Sequence, residues 1–374
     1  MEAAMDKDEL RAWLRLSLTD GVGNDAARKL LACFGSPQAV FEQSEAALRQ
    51  LVSTKQAHNL KNFPNELAVQ CLRTQMWLAA SADHAVWTLG DNHYPTELLQ
   101  LSDPPLMLYA QGQLDRTLGP AVAMVGSRNP TPQGIQNAEH FGQTLVEAGL
   151  CVVSGLALGI DGGAHRGALC ANDSGVQWQT VAVVGTGLDR VYPKHHHKLA
   201  SQIAAQGLLL SEYPLGTPPL PSNFPKRNRL IAALGLGTLV VEAALHSGSL
   251  ITAKQALDLG REVLAIPGSI HTPQSRGCHA LIRQGAKLVE TAQDVLDELR
   301  LGPMQPTLWQ DNPEDERTED PLLTHMGFDP VSLDALQARC GLDTASLQAQ
   351  LLTLELDGAV GRLPGGLFQR LARA

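Results

Sequence analysis

The sequence predicts an α/β protein with a doubly wound, mostly parallel sheet, flanked by a small all-helical N-terminal domain and a C-terminal winged-helix domain. In the middle of the chain, short aliphatic runs alternate with helical stretches and glycines mark the joins. Before residue 76 the apolar residues recur at helical spacing, and after residue 320 two helical patterns precede a hairpin pattern. The length of 374 residues allows two or three such domains.

The composition is that of a packed globular protein. Hydrophobic residues make up 44% and charged residues 18% of the chain, which argues against general disorder. No apolar run approaches the roughly 18 residues that cross a bilayer, so we expect a soluble, cytoplasmic protein without a membrane partner. The six cysteines lack the paired C-x-x-C spacing of zinc or redox sites and are expected to be reduced.

Residues 1–75 are predicted to form the helical domain, of the helix-hairpin-helix or SAM-like kind. Within it, Gly21-Val22-Gly23 joins two helical patterns, and Arg28 and Lys29 follow shortly after. Exposed amides of such a hairpin can hold a phosphate. The same glycines also suit an ordinary turn between helices, and the sequence leaves both interpretations open.

Residues 76–300 are predicted to form a Rossmann-like core. Its aliphatic runs show no polar alternation, which is typical of parallel strands buried on both faces. In such sheets the ligand crevice lies at the carboxyl ends of the strands. The predicted strands span 121–125, 150–153, 180–184, 208–210, 238–241, 263–266 and 287–289.

An acidic, proline-containing linker is predicted at 301–320, followed by a winged-helix-like domain at 321–374. Helical patterns at 332–340 and 344–356 precede a hairpin pattern at 360–369. The stretch 343–361, which holds the would-be recognition helix, contains no Lys or Arg. We therefore expect this domain to contact a protein surface or a sister protomer rather than a DNA groove.

The charge of the chain is acidic overall but not uniform. With 29 Lys and Arg against 38 Asp and Glu, the net charge is −9. Cations nevertheless cluster around the predicted crevice, where Lys226, Arg227 and Arg229 fall within four residues and Arg128 and Lys194 follow predicted strands. A local anion site is compatible with this distribution.

Three predicted crevice loops are built from glycine, serine and cations. Small residues at a strand-to-helix turn let backbone amides point outward, and arginine donates paired hydrogen bonds to phosphate. Tight turns and helix caps also use glycine and serine, but three such loops beside arginines favour phosphate binding. The candidate binding residues are Gly126, Ser127, Arg128, Ser154, Gly155, Lys194, Arg227, Asn228, Arg229, Ser247, Gly248 and Ser249.

The known cofactor and catalytic motifs are missing. The sequence contains no Gly-Lys pair of a Walker loop and no G-x-S-x-G elbow. The dinucleotide-like stretch 184–190 carries Arg190 where the third glycine should stand. Consecutive His195, His196 and His197 diverge around a helix, so they do not predict a metal site. We expect no cofactor, no metal and no catalytic residues.

A series of ordered motifs in residues 85–300 resembles the DNA processing protein A family, also called DprA or Smf. The helical and winged-helix segments match that family only in general arrangement. The motifs are LGDNHYP at 89–95, DPPLMLY at 103–109, VGSR at 125–128, SGLALGID at 154–161, GTGLD at 185–189, FPKRNR at 224–229, SGSLIT at 247–252 and IPGS at 266–269.

The resemblance implies a non-enzymatic protein that binds and shields incoming single-stranded DNA and loads the RecA recombinase during natural transformation and recombination. It also implies a homodimer formed through the Rossmann-like domain. By similarity, Arg128 and Lys194 are phosphate-binding cations, and Arg227 and Arg229 flank the crevice. Ser127, Ser154, Gly155, Ser247 and Gly248 act as loop donors. Four cations per protomer predict a salt slope of roughly −3, from about −0.7 per phosphate.

An enzyme is the alternative, because the core also resembles Rossmann-type nucleotide phosphoribohydrolases and nucleotide-sensing proteins. The stretch 235–242 contains a comparable glycine, threonine and glutamate series. Its spacing differs, with three residues instead of two between Thr238 and Glu242.

The few aromatics near the loops, Tyr192, Tyr213 and Phe224, predict modest base stacking on single-stranded DNA and weak sequence preference.

Overall fold

The structure is a computed structural model that describes residues 6–172, 177–301, 320–363 and 365–371. Its N-terminal part is helical, as expected from the periodicity, and Ser36, Ser44 and Ser53 cap three of the helices. Leu14, Leu16 and Leu30 form a buried cluster between them. The helices are α1 (Lys7–Leu18), α2 (Asn24–Phe34), α3 (Pro37–Glu42), α4 (Glu45–Leu48), α5 (Thr54–Lys61) and α6 (Leu67–Ala80).

A nine-stranded sheet forms the centre of the molecule. Its order is β1-β2-β6-β5-β4-β3-β7-β8-β9, in which β3 to β9 run parallel and β1 and β2 form an antiparallel extension beside β6. The strands are β1 (His84–Thr88), β2 (Met107–Gly112), β3 (Ala121–Val125), β4 (Cys151–Ser154), β5 (Thr180–Val183), β6 (Leu208–Ser211), β7 (Gly237–Val240), β8 (Glu262–Ala265) and β9 (Lys287–Leu288).

Helices cover both faces of the sheet, which explains the uninterrupted aliphatic strands. In β3, Ala123 and Val125 face one buried cluster, whereas Val122 and Met124 face the other. These helices are α7 (Pro132–Glu147), α8 (Ile160–Cys170), α9 (His197–Gln206), α10 (Asn223–Leu234), α11 (Ser249–Asp258), α12 (Arg276–Arg283) and α13 (Ala292–Glu298).

The strand order reverses at β3. From β3 the chain adds β4, β5 and β6 on one side, then crosses over and adds β7, β8 and β9 on the other. The loops after β3 and β7 therefore leave adjacent strands toward opposite faces and open a crevice at their carboxyl ends.

The C-terminal part is a winged helix with its own small core around Leu336, Leu347 and Leu351. Its three-stranded sheet has the order β10-β12-β11. The elements are α14 (Pro321–Met326), β10 (Val331–Ser332), α15 (Leu333–Cys340), α16 (Thr344–Leu356), β11 (Val360–Leu363) and β12 (Leu367–Arg370).

The expected fold class is confirmed, and all seven expected core strands are present within two residues of their predicted bounds. The strands β1 and β2 are not among the predicted strands, because their short runs show no distinctive period in the sequence. Most of the expected linker, 302–319, lies outside the described residues, and the domain boundaries stay predictions. No helix within the described ranges is long and apolar enough to cross a membrane.

The Gly21-Val22-Gly23 hairpin is fastened to its surroundings. The side chains of Gln56 and Asn59 on α5 donate to the carbonyls of Gly21 and Asp20, at 2.8 and 2.9 Å. Just beyond, Arg28 donates to the Ser102 carbonyl at 3.0 Å and so ties α2 to the core. These contacts hold the turn through its carbonyl groups, and phosphate binding by its amides stays a prediction.

Candidate nucleic-acid interface

A crevice of about 590 Å³ opens where the strand order reverses. This volume is in the range of small-ligand sites and fits a nucleotide-sized unit. The loops after β3 and β7 and the first turns of α10 and α11 form its walls. Eight of the twelve candidate residues line it: Gly126, Ser127, Arg128, Arg227, Asn228, Ser247, Gly248 and Ser249.

The loop after β3 is held from both sides. The Ser127 amide donates to the Glu242 carbonyl at 2.7 Å, and the Ser127 carbonyl accepts from the Ile160 amide at 3.1 Å. A Cβ on Gly126 would lie within 2.8 Å of the Ile160 side chain, so only glycine fits there without displacement. The loop thus presents Arg128 from a fixed backbone.

Arg128 is exposed at the mouth of the crevice beside two aromatic rings. Its guanidinium carbon lies 5.6 Å from the centre of the Phe224 ring, and the Tyr192 ring lies 5.6 Å from Phe224. Among the described residues Arg128 has no acidic partner within salt-bridge distance. A guanidinium without an acidic partner beside rings that border a crevice is a combination that can bind a phosphate and stack a base.

Tyr213, the third aromatic candidate, has a structural position. It is buried, and its hydroxyl donates to the Asn223 carbonyl at 3.1 Å. Burial, aided by the nearby Glu212 charge, raises the pKa of Tyr213 to about 12. Tyr192 and Phe224 are therefore the two rings available to a ligand.

Ser154 at the end of β4 and Gly155 after it lie beneath the crevice, whereas Ala157 of the same loop lines it. Ser154 is fully buried, and its hydroxyl donates to the Met124 carbonyl at 2.6 Å. The Gly155 carbonyl accepts from Nη1 of Arg227 at 2.6 Å, and a Cβ on Gly155 would collide with that guanidinium. The two candidate residues of this loop support the floor of the site.

Arg227 lies on α10, and its hydrogen bonds connect that helix to the backbone beneath the crevice. Its guanidinium donates to the carbonyls of Gly155 and Val183 and is almost wholly buried, although it still borders the crevice. Burial lowers the pKa of Arg227 to about 10, so the side chain stays charged at neutral pH. Arg227 contributes positive potential, and of its donors only Nη1 makes these bonds, while its buried Nε has no hydrogen-bond partner among the described residues.

Asp161 lines the crevice and is not among the predicted binding residues. It lies at the start of α8, where its carboxylate accepts from the Ala157 amide at 3.3 Å. Burial raises the pKa of Asp161, and the nearby Arg227 charge acts in the opposite direction. An acid two residues after Gly159 at a helix N-terminus was the signal that could have revealed it.

The loop after β7 offers hydroxyls and a helix N-terminus. Ser247 and Ser249 share a hydrogen bond of 2.7 Å between their Oγ atoms. Gly248 caps α11, with open space where a Cβ would stand. These small groups and the first amides of α11 face the same crevice as Arg128.

Arg229 points away from the crevice. Its guanidinium binds both carboxylate oxygens of Glu212 at 2.6 Å and approaches Asp103 at 3.5 Å. Lys226 also lies 3.7 Å from Glu212. Because positions two apart on α10 face nearly opposite directions, Arg227 and Arg229 cannot serve one crevice together. The structure gives Arg229 a neutralised position in the protein.

Lys194 is exposed just outside the crevice lining, in the short 3₁₀ turn Lys194–His196. Two residues before it, Tyr192 does line the crevice. His196 in the same turn is buried, and its Nδ1 lies 3.0 Å from the Leu156 carbonyl. Lys194 thus remains available to a longer ligand that leaves the crevice past Tyr192.

Glu242, the acid of the phosphoribohydrolase alternative, is engaged below the crevice. Its carboxylate accepts from the Thr131 amide at 2.9 Å and from the Thr131 hydroxyl at 2.5 Å, at the start of α7. Burial raises the pKa of Glu242, while the Thr131 hydrogen bonds lower it. The lining described for the crevice includes Asp161 but not Glu242.

The sequence matches two family descriptions. Residues 85–300 match the DNA recombination-mediator protein A family, and residues 305–366 match the DprA winged helix domain. The chain is 39% identical to Protein Smf of Escherichia coli K12, with 97% of this chain and 96% of that protein aligned. It is 49% identical to DNA processing protein DprA of Streptococcus pneumoniae R6, over 57% of this chain and 73% of the relative.

Two solved structures share the fold. DNA processing protein A from Streptococcus pneumoniae matches with a TM-score of 0.62 and 37% identity, over 79% of this chain and 99% of that one. DNA processing protein A from Helicobacter pylori, described in its single-stranded DNA binding mode, matches with a TM-score of 0.51 and 32% identity, over 58% of this chain and 96% of the other.

Proposed function

This chain belongs to the DNA recombination-mediator protein A family, DprA or Smf, and from that premise we propose that it binds single-stranded DNA in the crevice at the strand-order reversal. The binding is proposed to protect incoming DNA in natural transformation and recombination, in the cytoplasm and without catalysis. The strand is then handed to the RecA recombinase, in keeping with the family's description as a recombination mediator.

One observation carries this proposal. Arg128 stands without an acidic partner on a fixed loop, beside the exposed Tyr192 and the half-buried Phe224 and opposite the start of α11. A phosphate held by Arg128 and the loop amides leaves its base free to stack on Phe224 or Tyr192. Contacts of this kind go to the backbone and to ring faces, so they favour single strands without reading the sequence.

The accessible cations set the expected salt dependence. Since Arg227 is only 3% exposed and Arg229 is paired with Glu212, Arg128 and Lys194 remain as the exposed phosphate-binding cations. Two neutralised phosphates on a single strand predict a slope of log K against log salt of about −1.4 per protomer. This value replaces the roughly −3 expected from four cations.

The proposal is tested by titrating the full chain against single- and double-stranded oligonucleotides of equal length at low salt. We expect the parent to prefer the single strand and Arg128→Glu to lose at least about tenfold in affinity, since an acid would repel the phosphate. Lys254→Glu, which makes the same charge change at an exposed position of α11 outside the lining, is the matched control.

Equal losses in Arg128→Glu and Lys254→Glu would mean that only net charge matters, and the crevice assignment would then fail. Absence of single-strand binding in the parent would contradict the proposed function. Circular dichroism of both variants checks that folding is unchanged.

We also propose that the protein is a homodimer through an apolar groove of about 500 Å³ at the β9 end of the sheet. Leu245, Ile282 and Leu288 line it, and the nearby Ile270 is 72% exposed. Apolar side chains grouped on a surface mark protein interfaces. A second copy is the proposed occupant, and two crevices on one strand would then bind it with avidity.

The position of Glu242 does not favour a phosphoribohydrolase. Its carboxylate is bound to Thr131 at the N-terminus of α7 and is directed away from the crevice lining. Incubation with nucleoside monophosphates separates the two functions, because a binding protein releases no free base.

A further inference from the structure

Leu156, in the loop after β4, has a backbone conformation that bulky residues rarely adopt. Its φ is 58°, and among the described residues other than glycine only Leu156 and Arg300 have a positive φ. Arg300 is exposed just after α13, whereas Leu156 is 1% exposed. A left-handed leucine costs free energy and persists only where its surroundings hold it, often beside a functional site. Its contacts therefore indicate what the conformation serves.

The backbone around Leu156 joins two other segments beneath the crevice. The Gly155 carbonyl accepts from Arg227 of α10, whereas the next carbonyl, that of Leu156, accepts from Nδ1 of His196 at 3.0 Å. A carbonyl oxygen can only accept, so Nδ1 of His196 carries the proton of this bond. The left-handed backbone at Leu156 lets these two consecutive carbonyl groups bind different segments.

His196 is enclosed between this loop and α8. It is 8% exposed, and a Cβ on Gly162 of α8 would lie 2.8 Å from Cε1 of its ring. Glycine at that position therefore leaves room for the ring. The Leu156 side chain belongs to the same buried cluster as Leu199 of α9, which follows His196 closely in the chain. A hydrogen bond, a close helix contact and a shared apolar cluster thus hold the start of α9.

His196 ends the short turn that carries Lys194, and Tyr192 precedes that turn. Between residues 191 and 195 no hydrogen bond to another element is present in the described part of the chain. The bond from His196 to Leu156 is therefore the first hydrogen bond that connects this turn to the loops of the sheet. Since Lys194 is exposed and Tyr192 lines the crevice, the placement of both depends on this bond.

We propose that His196 is a positioning residue of the DNA site. Through its hydrogen bond to the Leu156 carbonyl it fixes the turn from which Lys194 reaches the strand that leaves the crevice. A turn that is fixed before the strand arrives has no ordering cost to add on binding. The proposal rests on the proposed single-strand binding, whereas His196 itself is buried and acts through Lys194.

Two variants of the full chain separate the hydrogen bond from the shape of the side chain. His196→Asn places an amide donor near the position of Nδ1, and His196→Leu has nearly the shape of asparagine without a donor. We expect His196→Asn to bind a single-stranded oligonucleotide within about twofold of the parent. His196→Leu should lose roughly fivefold in affinity, and its salt slope should become shallower by about 0.7, the share of one phosphate.

Lys194→Gln supplies the readout that a purely structural role would not change. In the parent and in His196→Asn it should cost the same factor of roughly five in affinity. In the His196→Leu background it should cost less than about twofold, because a misplaced Lys194 has little left to lose. His197→Leu, the same substitution at the exposed first position of α9, is the matched control and should behave as the parent.

Hydrogen exchange of the free protein measures the connection without DNA. We expect the amides of residues 191–196 to exchange at least about fivefold faster in His196→Leu, because the turn opens more often when this hydrogen bond is missing. In His196→Asn and in His197→Leu these amides should exchange at the rate of the parent.

Several results would contradict the positioning role. They are unchanged affinity or exchange in His196→Leu, equal losses in both His196 variants, and a full additional loss from Lys194→Gln in the His196→Leu background. Unfolding of either His196 variant, detected by circular dichroism, would overturn the proposal too, since His196 would then stabilise the core as a whole. Failure of the parent to bind any single strand would instead remove the proposed function, while hydrogen exchange would still test the connection.

Discussion

At the scale of single residues, the structure separates side chains that the sequence had grouped. Arg128, Arg227 and Arg229 have the same chemistry, yet one is free at the surface, one donates to buried carbonyls and one is paired with Glu212. Their roles follow from burial and charge pairing, because a buried or already paired cation is less accessible to a phosphate than an exposed one. Only Arg128 combines exposure with a place in the crevice.

His165 makes stability depend on pH. It is fully buried on α8 with Nδ1 2.7 Å from the Thr180 hydroxyl, and its Nε2 has no hydrogen-bond partner. Burial lowers the pKa of His165 from 6.5 to about 3, helped by the nearby His196. Below pH 6.5 the unfolded chain therefore binds a proton that the folded chain does not.

The sign of this effect is that stability falls as pH falls from 6.5 toward 3. Between pH 7 and pH 5 the His165 contribution to the free energy of unfolding should decrease by about 2 kcal/mol. Chemical unfolding at both pH values measures it, with His165→Asn as the comparison because its amide can take the place of Nδ1. Equal pH dependence in the two proteins would contradict the assignment.

At the scale of elements, the site depends on how the turns are fastened. In the loop after β3, Ser127 is hydrogen-bonded to the Glu242 carbonyl and to the Ile160 amide, and α7 begins directly after this loop. The Glu242 carboxylate meets the positive end of this 16-residue helix, where a negative charge is stabilising. One residue thereby holds both the crevice loop and the helix that follows.

Replacing Glu242 with glutamine should loosen that junction. Glu242→Gln keeps the shape but loses the charge and one acceptor, so we expect the free energy of unfolding to fall by about 1–2 kcal/mol. Urea unfolding monitored by fluorescence measures this loss, and Glu147→Gln, at the other end of α7, should change stability little. An unaltered midpoint for Glu242→Gln would rule out the proposed role of the carboxylate in anchoring α7.

At the scale of the whole molecule, a chain of net charge −9 is proposed to bind a polyanion. The arrangement is consistent because most acids lie elsewhere, many of them in the C-terminal part, while the crevice lining holds Arg128 and Arg227 beside one acid, Asp161. The winged helix adds no cation from α16, whose exposed side chains include Leu352 and Leu356. We propose that this surface meets a protein or a sister protomer.

Removing residues 318–374 should therefore leave DNA binding nearly intact. We expect single-strand affinity within about threefold of the parent and the same salt slope, since no crevice cation is lost. Titration at two or more salt concentrations, with sedimentation to verify the oligomeric state, provides the measurement. A collapse of affinity in a shortened protein that still dimerises would show that the winged helix contacts the strand.

The sequence by itself determined the fold class, the seven parallel strands and the position of the crevice. Those features follow from local patterns, since aliphatic runs specify buried strands and glycines specify turns wherever the chain folds. It also identified Arg128 and the serine loop of α11 as neighbours in one site. The sequence did not predict the strands β1 and β2, because their short runs show no distinctive hydrophobic periodicity.

Only the tertiary structure decided which cations are free and which faces are covered. Glu212, Asp103 and Arg229 are distant in sequence and meet through packing, so no local pattern could have shown that Arg229 is neutralised. The same holds for Thr74 of α6, which is buried with its hydroxyl 3.3 Å from the Tyr109 hydroxyl of β2. The exposure of a side chain and the pairing of its charge depend on residues that are distant in sequence and are brought close by the fold. The local sequence around that side chain does not show which residues these are.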